Sequence, residues 1–327
     1  FIDRFTYTTT LNGDFATGTG LGYATDTKAR VSVGWKMPIV NRRGHSLQSK
    51  VSYSEVNPSG RFIYDIPLTH PYNDKLQFGF SLEQDEFGSL ESNLIQVSIA
   101  RKRNEEGWVR TSYLRLLREQ WQLDDTSRQE KYVLPGFTWA RTTKKGSALD
   151  PESGFSQLYR VEATHPAIGS EIKLLSLFGQ FKWVNRFGLN HRIVARSQLG
   201  WNSIGDEDKA LLSPSLRFYA GGDQSIRGFS YQSLGPRTTL TSTGTDSGSS
   251  NESGEKEITV GGTRLITASL EYQYYLNKKW RIPFFIDAGQ AFDKKSFKPV
   301  YSIGTGVHYI TRIGAVRLEL AYGISED

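Results

Sequence analysis

The feature that most constrains this chain is an apolar residue at every second position, repeated from one end to the other. Leu76, Phe78, Phe80 and Leu82 alternate with Gln77, Gly79, Ser81 and Glu83. Val316, Leu318, Leu320, Tyr322 and Ile324 alternate with Arg317, Glu319, Ala321 and Gly323, and Val31, Val33, Trp35 and Met37 with Ser32, Gly34 and Lys36. A helix would scatter these apolar residues around its circumference, whereas a strand gathers them on one face. Fifteen such segments run from residue 16 to residue 325, spaced at roughly 20 residues per strand and connection. With 32 Gly, 18 Phe, 16 Tyr, 7 Trp and one Met, the composition suits strands rather than helices. No apolar run reaches the roughly 18 residues that a membrane-spanning helix needs, and the mean hydropathy is −0.46.

Alternation also marks soluble sandwiches and β-helices. Three features weigh against them. The segments are about ten residues long, the length of a tilted strand crossing a bilayer. Aromatic residues gather near segment ends (Trp35, Tyr53, Trp108, Trp121, Trp183, Trp201, Trp280), where an interfacial girdle requires them. The second face carries Glu, Arg, Gln and Gly in almost every segment, which suits a wet lumen and not a sandwich core. Short connections at Asn41–His45, Asn57–Gly60, His70–Asp74, Asn185–Gly188 and Asn277–Lys279 contrast with long polar ones at Thr143–Gly154 and beyond Pro236. The pattern predicts an all-β chain: a transmembrane antiparallel β-barrel of about 16 strands, short turns at one end and loops at the other.

Zero Cys excludes disulfide scaffolds, thiolate metal sites and thiol nucleophiles. The five histidines are scattered, with no His-x-x-x-His and no nucleophile elbow, so neither an enzyme nor a cofactor or metal is expected. The formal charge of +6 suits anionic lipid head groups, while a nucleic-acid partner would call for more concentrated charge. Asn251-Glu-Ser253 matches a glycosylation sequon inside a Ser/Thr/Gly-rich stretch, read as part of a flexible polar loop over 237–262.

Residues 206–236 break the alternation and are too long for a hairpin turn. Aromatic residues flank Gly221, Gly222 and Asp223, followed by Ile226, Arg227, Gly228 and Phe229. Paired glycines permit tight turns, Asp223 can accept a hydrogen bond within its own turn, and Arg227 is a planar donor on a constrained tip. Phe218-Tyr-Ala-Gly-Gly-Asp-Gln-Ser-Ile-Arg-Gly-Phe229 resembles the loop-six signature of the outer-membrane assembly factors, the superfamily of BamA, TamA and the two-partner secretion transporters. Gly22-Tyr-Ala-Thr-Asp26, Asn41-Arg-Arg-Gly-His-Ser46 and Ser269-Leu-Glu-Tyr-Gln-Tyr274 resemble TamA more than BamA. The resemblance covers residue 16 to the last residue.

It implies a loop six (206–236) folded into the lumen, its arginine paired with acidic side chains on the wall of strands twelve and thirteen. By parity, Glu271 and Asp287 both face inward. It also implies a Gram-negative outer-membrane insertase of a translocation and assembly module. A periplasm-spanning TamB-like partner would work with it, and autotransporters and other outer-membrane proteins would be its clients, with outer-membrane lipids as further partners. Client strands would pair at a weak seam between first and last strands. Gly18, Gly20 and Gly22, on one face of the strand taken as first, would weaken that seam or make room for the loop. Alternatives are a two-partner secretion transporter exporting an unfolded polypeptide, and a passive porin. The POTRA domains that normally precede such a barrel, and its closing strand, are not in this sequence. Residues 1–15 are then a linker remnant or an extra seam strand, with an Asn12-Gly13 turn, and 16–327 are the barrel.

Overall fold

The computed structural model describes residues 2–11, 15–24, 28–55, 57–87, 90–123, 126–147, 150–241, 255–294, 297–311 and 315–325. The strands are β1 (Ile2–Leu11), β2 (Phe15–Ala24), β3 (Lys28–Met37), β4 (Ser46–Ser54), β5 (Ser59–Pro67) and β6 (Asp74–Phe87). They continue as β7 (Leu90–Glu105), β8 (Trp108–Leu123), β9 (Thr126–Gly146), β10 (Pro151–Thr164), β11 (Leu174–Phe187) and β12 (His191–Ile204). After the small hairpin β13 (Arg237–Thr241) and β14 (Glu255–Thr259) come β15 (Arg264–Tyr275), β16 (Trp280–Phe292), β17 (Val300–Ile310) and β18 (Ala315–Ile324). All but β13 and β14 form a closed antiparallel barrel of sixteen strands in sequential order.

Alternation sets the two surfaces. In β15, Ile266, Leu270 and Tyr274 are exposed while Thr267, Ser269, Glu271 and Gln273 are buried. In β16, Phe284 and Ile286 are exposed while Phe285 and Asp287 are buried. A barrel in lipid inverts the soluble rule: the apolar face meets hydrocarbon and the polar face lines the lumen. Leu270 is 55% exposed on that outer band. Leu270→Arg is therefore expected to lower stability by about 2–4 kcal/mol in vesicles, read as a fall in the urea midpoint.

Four sequence expectations need correction. The Gly-rich segment is the second barrel strand and not the first, because β1 pairs with β2 along its length, from Ile2↔Tyr23 to Leu11↔Phe15. Gly18, Gly20 and Gly22 thus lie one strand in from the seam, opposite Gly34, Ser32 and Arg30 of β3, on the luminal face. Loop six accordingly joins the twelfth and thirteenth barrel strands, and its acidic partners sit on the thirteenth and fourteenth. Second, Thr143–Gly154 is no long loop: β9 and β10 pair from Glu162↔Gly136 to Pro151↔Gly146, with a register shift between Pro151 and Ser153, since consecutive polar residues extend a hairpin past the bilayer. Third, the Asn57–Gly60 turn lies at the loop-six end of the barrel, because strand direction reverses between β3–β4 and β4–β5. Finally, Trp121 is 4% exposed, packed inside with Leu90 and Tyr219, while Trp183, Trp201 and Trp280 face outward.

Within 237–262, β13 pairs with β14 and Ile258 is buried, so the described part of this stretch is not a flexible loop. The sequon and the Asn12-Gly13 turn lie outside the described residues.

The seam is offset. Among the described residues, β1 and β18 share the single register pair Ile2↔Val316. Ile2 stands at the loop-six end of β1 and Val316 at the opposite end of β18, so the two strands slide past each other by most of their length. Leu320 and Tyr322 of β18 are 80% and 72% exposed.

Candidate functional site: the loop-six clasp

Loop six enters the lumen after Ile204 and leaves it at Arg264. Its first part is fastened to one wall by apolar packing. Leu212 and Leu216 bury against Leu117, Tyr132 and Leu134 of β8 and β9 and against Ile172 and Leu174. Each such side chain contributes on the order of 1.5–3 kcal/mol. Polar contacts set the register: the Tyr132 hydroxyl donates to the Leu211 carbonyl at 2.5 Å and accepts from the Ser213 N–H at 3.1 Å. Glu119, fully buried, accepts from the Ser215 N–H at 3.1 Å, from the Ser215 hydroxyl, and from the Ser92 hydroxyl at 2.6 Å.

The loop then turns back across the lumen. Phe218 bridges Gly262, and Ala220 bridges Leu234, so the segment 218–220 is tied to two later parts of the loop. Gly221 has φ 102°, where a side chain would be strained, and a Cβ there would stand 2.4 Å from the Ser230 carbonyl oxygen. The Gly222 N–H closes the turn on the Phe229 carbonyl at 3.0 Å, and the Ser225 N–H donates to the Gly222 carbonyl at 3.1 Å. The Asp223 carboxylate accepts from the Gln224 side-chain amide at 2.9 Å. Ile226, fully buried with Phe218, Ala220, Leu265 and Ala291, pins the tip against β15 and β16. That anchor aims the next residue at the wall.

Arg227 is 6% exposed and spends nearly every donor it has. Its Nε and Nη2 grip the two oxygens of Asp287 at 2.8 Å each, and its own backbone N–H adds a third bond to that carboxylate at 3.0 Å. Nη1 donates to Glu271 at 2.7 Å and to Glu319 at 3.3 Å, and Nη2 also reaches the Ser269 hydroxyl at 3.2 Å. The guanidinium carbon lies 3.3 Å from the centroid of the Phe285 ring. The fork matches a carboxylate in its plane and an aromatic ring on its face, a combination open to arginine and closed to lysine.

The contact continues along the wall. Glu319 receives His308 Nε2 at 2.6 Å, His308 Nδ1 accepts from Arg281 Nε at 3.1 Å, and Arg281 Nη1 reaches Asp150 at 2.8 Å. A chain of charged and polar groups, with His308 accepting at Nδ1 as a neutral imidazole, therefore links the loop-six tip to the β9–β10 turn at the far end of the lumen.

Of the residues singled out in the sequence, Gly221, Gly222, Ile226, Arg227, Gly228 and Phe229 form the tip, with Glu271 and Asp287 on the facing wall. Gly18, Gly20 and Gly22 are on β2, apart from these contacts. Sequence reasoning left out Glu319, Ser269, Phe285 and Gly323. Parity places Glu319 inward in its strand, but nothing in one sequence says that a residue of the last strand reaches a loop 92 positions earlier. Glu119 and Tyr132 carried no signal at all.

The Omp85 superfamily domain matches residues 13–327. The chain belongs to the Omp85 superfamily. Among solved structures, this Omp85 barrel is similar to BamA from Haemophilus ducreyi lacking POTRA domains 1–3, at 15% identity and a TM-score of 0.82, covering 100% of this chain and 73% of that one. It is also similar to CdiB from Acinetobacter baumannii (13% identity, TM-score 0.58) and to CdiB from Escherichia coli (9%, 0.61). It spans 66% and 61% of those two chains, and they cover 100% and 98% of it. At these identities the likeness is one of fold. This Omp85 barrel is an outer-membrane β-barrel of Gram-negative bacteria, of the superfamily that inserts or transports proteins at that membrane.

Proposed function

We propose that this Omp85 barrel is the insertase subunit of a translocation and assembly module, which assembles autotransporters and other β-barrel proteins. A TamB-like periplasm-spanning protein and outer-membrane lipids would be its partners. The TamA-like segments Gly22–Asp26, Asn41–Ser46 and Ser269–Tyr274 support the finer assignment. The observation that carries the mechanism is the offset seam. Paired strands normally exchange hydrogen bonds along their whole length, as β1 does with β2. Among the described residues the seam shares Ile2↔Val316, a pairing short enough for an incoming strand to displace by strand addition. The chemistry is strand pairing and not catalysis.

Cross-linking tests this. The chain contains no cysteine, so Ile2→Cys with Val316→Cys introduces one disulfide between register partners whose Cα separation suits a bridge. Reconstituted in liposomes, the oxidised protein is expected to lose client insertion and to regain it on reduction. Full activity while cross-linked would sink the seam mechanism. The likeness to CdiB supports a second reading, export of an unfolded polypeptide through the lumen. That reading predicts translocation into vesicles that survives the cross-link.

A further inference from the structure

A second luminal site lies beside the clasp. β11 and β12 bring Lys182 and Arg196 into direct register, both on the luminal face. Like charges directly opposite each other in an antiparallel pair are unfavourable. Between these two cations and β15 lies a partly open cavity of about 60 Å³. Gln180 and Gln198 also line it, together with Thr267 and Ser269 of β15 and with Gln224 and Ser225 of loop six. No carboxylate lines it.

Among the described residues neither cation makes an ion pair, although Asp287, Glu271 and Glu319 of the clasp act on Arg196 from nearby. Arg196 donates to the Ser269 hydroxyl at 3.1 Å and to the Asp223 carbonyl at 3.3 Å, both uncharged acceptors. Ser269 already accepts from Arg227, so two guanidinium groups converge on one hydroxyl. Among the described residues Lys182 makes no ion pair. The charges around it are Arg317, Arg196 and Arg192 against Glu271. The clasp carboxylates point at Arg227, and the cavity beside them is lined by the two cations and by uncharged side chains.

We infer that the Lys182–Arg196 cavity is a binding site for a phosphate group. Its donors come from three strands and from loop six, a distribution that surrounds a tetrahedral oxyanion better than a planar carboxylate. An anion there would relieve the Lys182–Arg196 repulsion and bridge loop six, through Ser225 and Gln224, to the β11–β12 wall. The group could belong to a free phosphate ion or to a lipid head group, which carry the same chemistry into the site.

The test is titration of inorganic phosphate, followed by ³¹P NMR, into the full chain folded in an uncharged detergent. Saturable binding at one site is expected. Lys182→Gln and Arg196→Gln should each weaken it roughly tenfold or more, the loss of one charge-assisted contact. Lys182→Arg should retain it, and Arg110→Gln on the outer surface should leave it unchanged. Heat-modifiable migration on gels verifies that every variant is folded. Phosphatidic acid added to the micelles separates the sources: displacement of phosphate supports a head group, and no displacement supports the free ion. Absence of saturable binding, or binding indifferent to both Gln variants, would overturn the site.

Discussion

Arg227→Glu is expected to release loop six from the wall and to abolish most client insertion. The substitution leaves Asp287, Glu271 and Glu319 without their common cation and adds a fourth carboxylate among them. Asp287 is fully buried and Glu271 nearly so. Removing one partner of such a buried pair costs about 3–5 kcal/mol, because the partner left behind keeps its charge and loses its compensation. The barrel has sixteen strands of paired backbone to absorb that loss, but the loop tip is held by this contact and by Ile226 alone among its deeply buried side chains. Two measurements check the outcome: protease cleavage within 206–236, which should appear in the variant, and insertion of a client barrel into liposomes. Combining Arg227→Glu with Asp287→Arg restores one opposite-charge contact across the same gap and should recover part of both signals. Unchanged protection and insertion in the single variant would make the clasp dispensable.

The second large effect is expected at Gly228. Its φ is +87°, and a Cβ there would sit 2.9 Å from the Gly323 nitrogen and 3.2 Å from the Tyr322 carbonyl carbon, both backbone atoms of β18. Backbone of a paired strand has no rotamer by which to retreat. Gly228→Ala therefore adds roughly 1–2 kcal/mol for the positive φ and about 1–3 kcal/mol for overpacking. The neighbouring test is Gly323→Ala, whose Cβ would meet the Phe229 ring at 2.8 Å. A ring can rotate away, so this change is expected to be milder. Urea midpoints of the two variants, compared with the same loop-six proteolysis, give the ranking. A more severe Gly323→Ala would mean that the Phe229 ring is the fixed element and the loop backbone the yielding one. Both positions lie against β18, which borders the seam, so loop-six docking and seam geometry meet on the same strand.

How far the site was legible depends on which residue is asked about. Period-two alternation assigns each strand residue a face without knowledge of any other strand, and it put Glu271, Asp287 and Glu319 inward. The pairing of Arg227 with Asp287 and Glu271 came from the loop-six resemblance and not from parity. Phe285 and Ser269 share the inward face, yet a face does not name a partner across the lumen. Glu119 and Tyr132 belong to strands distant in sequence from loop six, and only the curvature of the closed wall brings them to Leu211, Ser213 and Ser215.

The amino-acid sequence by itself determined the fold class, the strand faces and the departure of residues 206–236 from the barrel, because each of these depends on local periodicity. The tertiary structure alone decided three matters: the place of the N-terminal strand, the offset of β1 against β18, and the cavity between Lys182 and Arg196. Pairing register accumulates from strand to strand around the ring, so the mismatch where the ring closes is a sum over all sixteen and is written in no single segment. Likewise, two cations become a pocket only when a distant loop completes its lining and directs its own arginine to the nearby carboxylates.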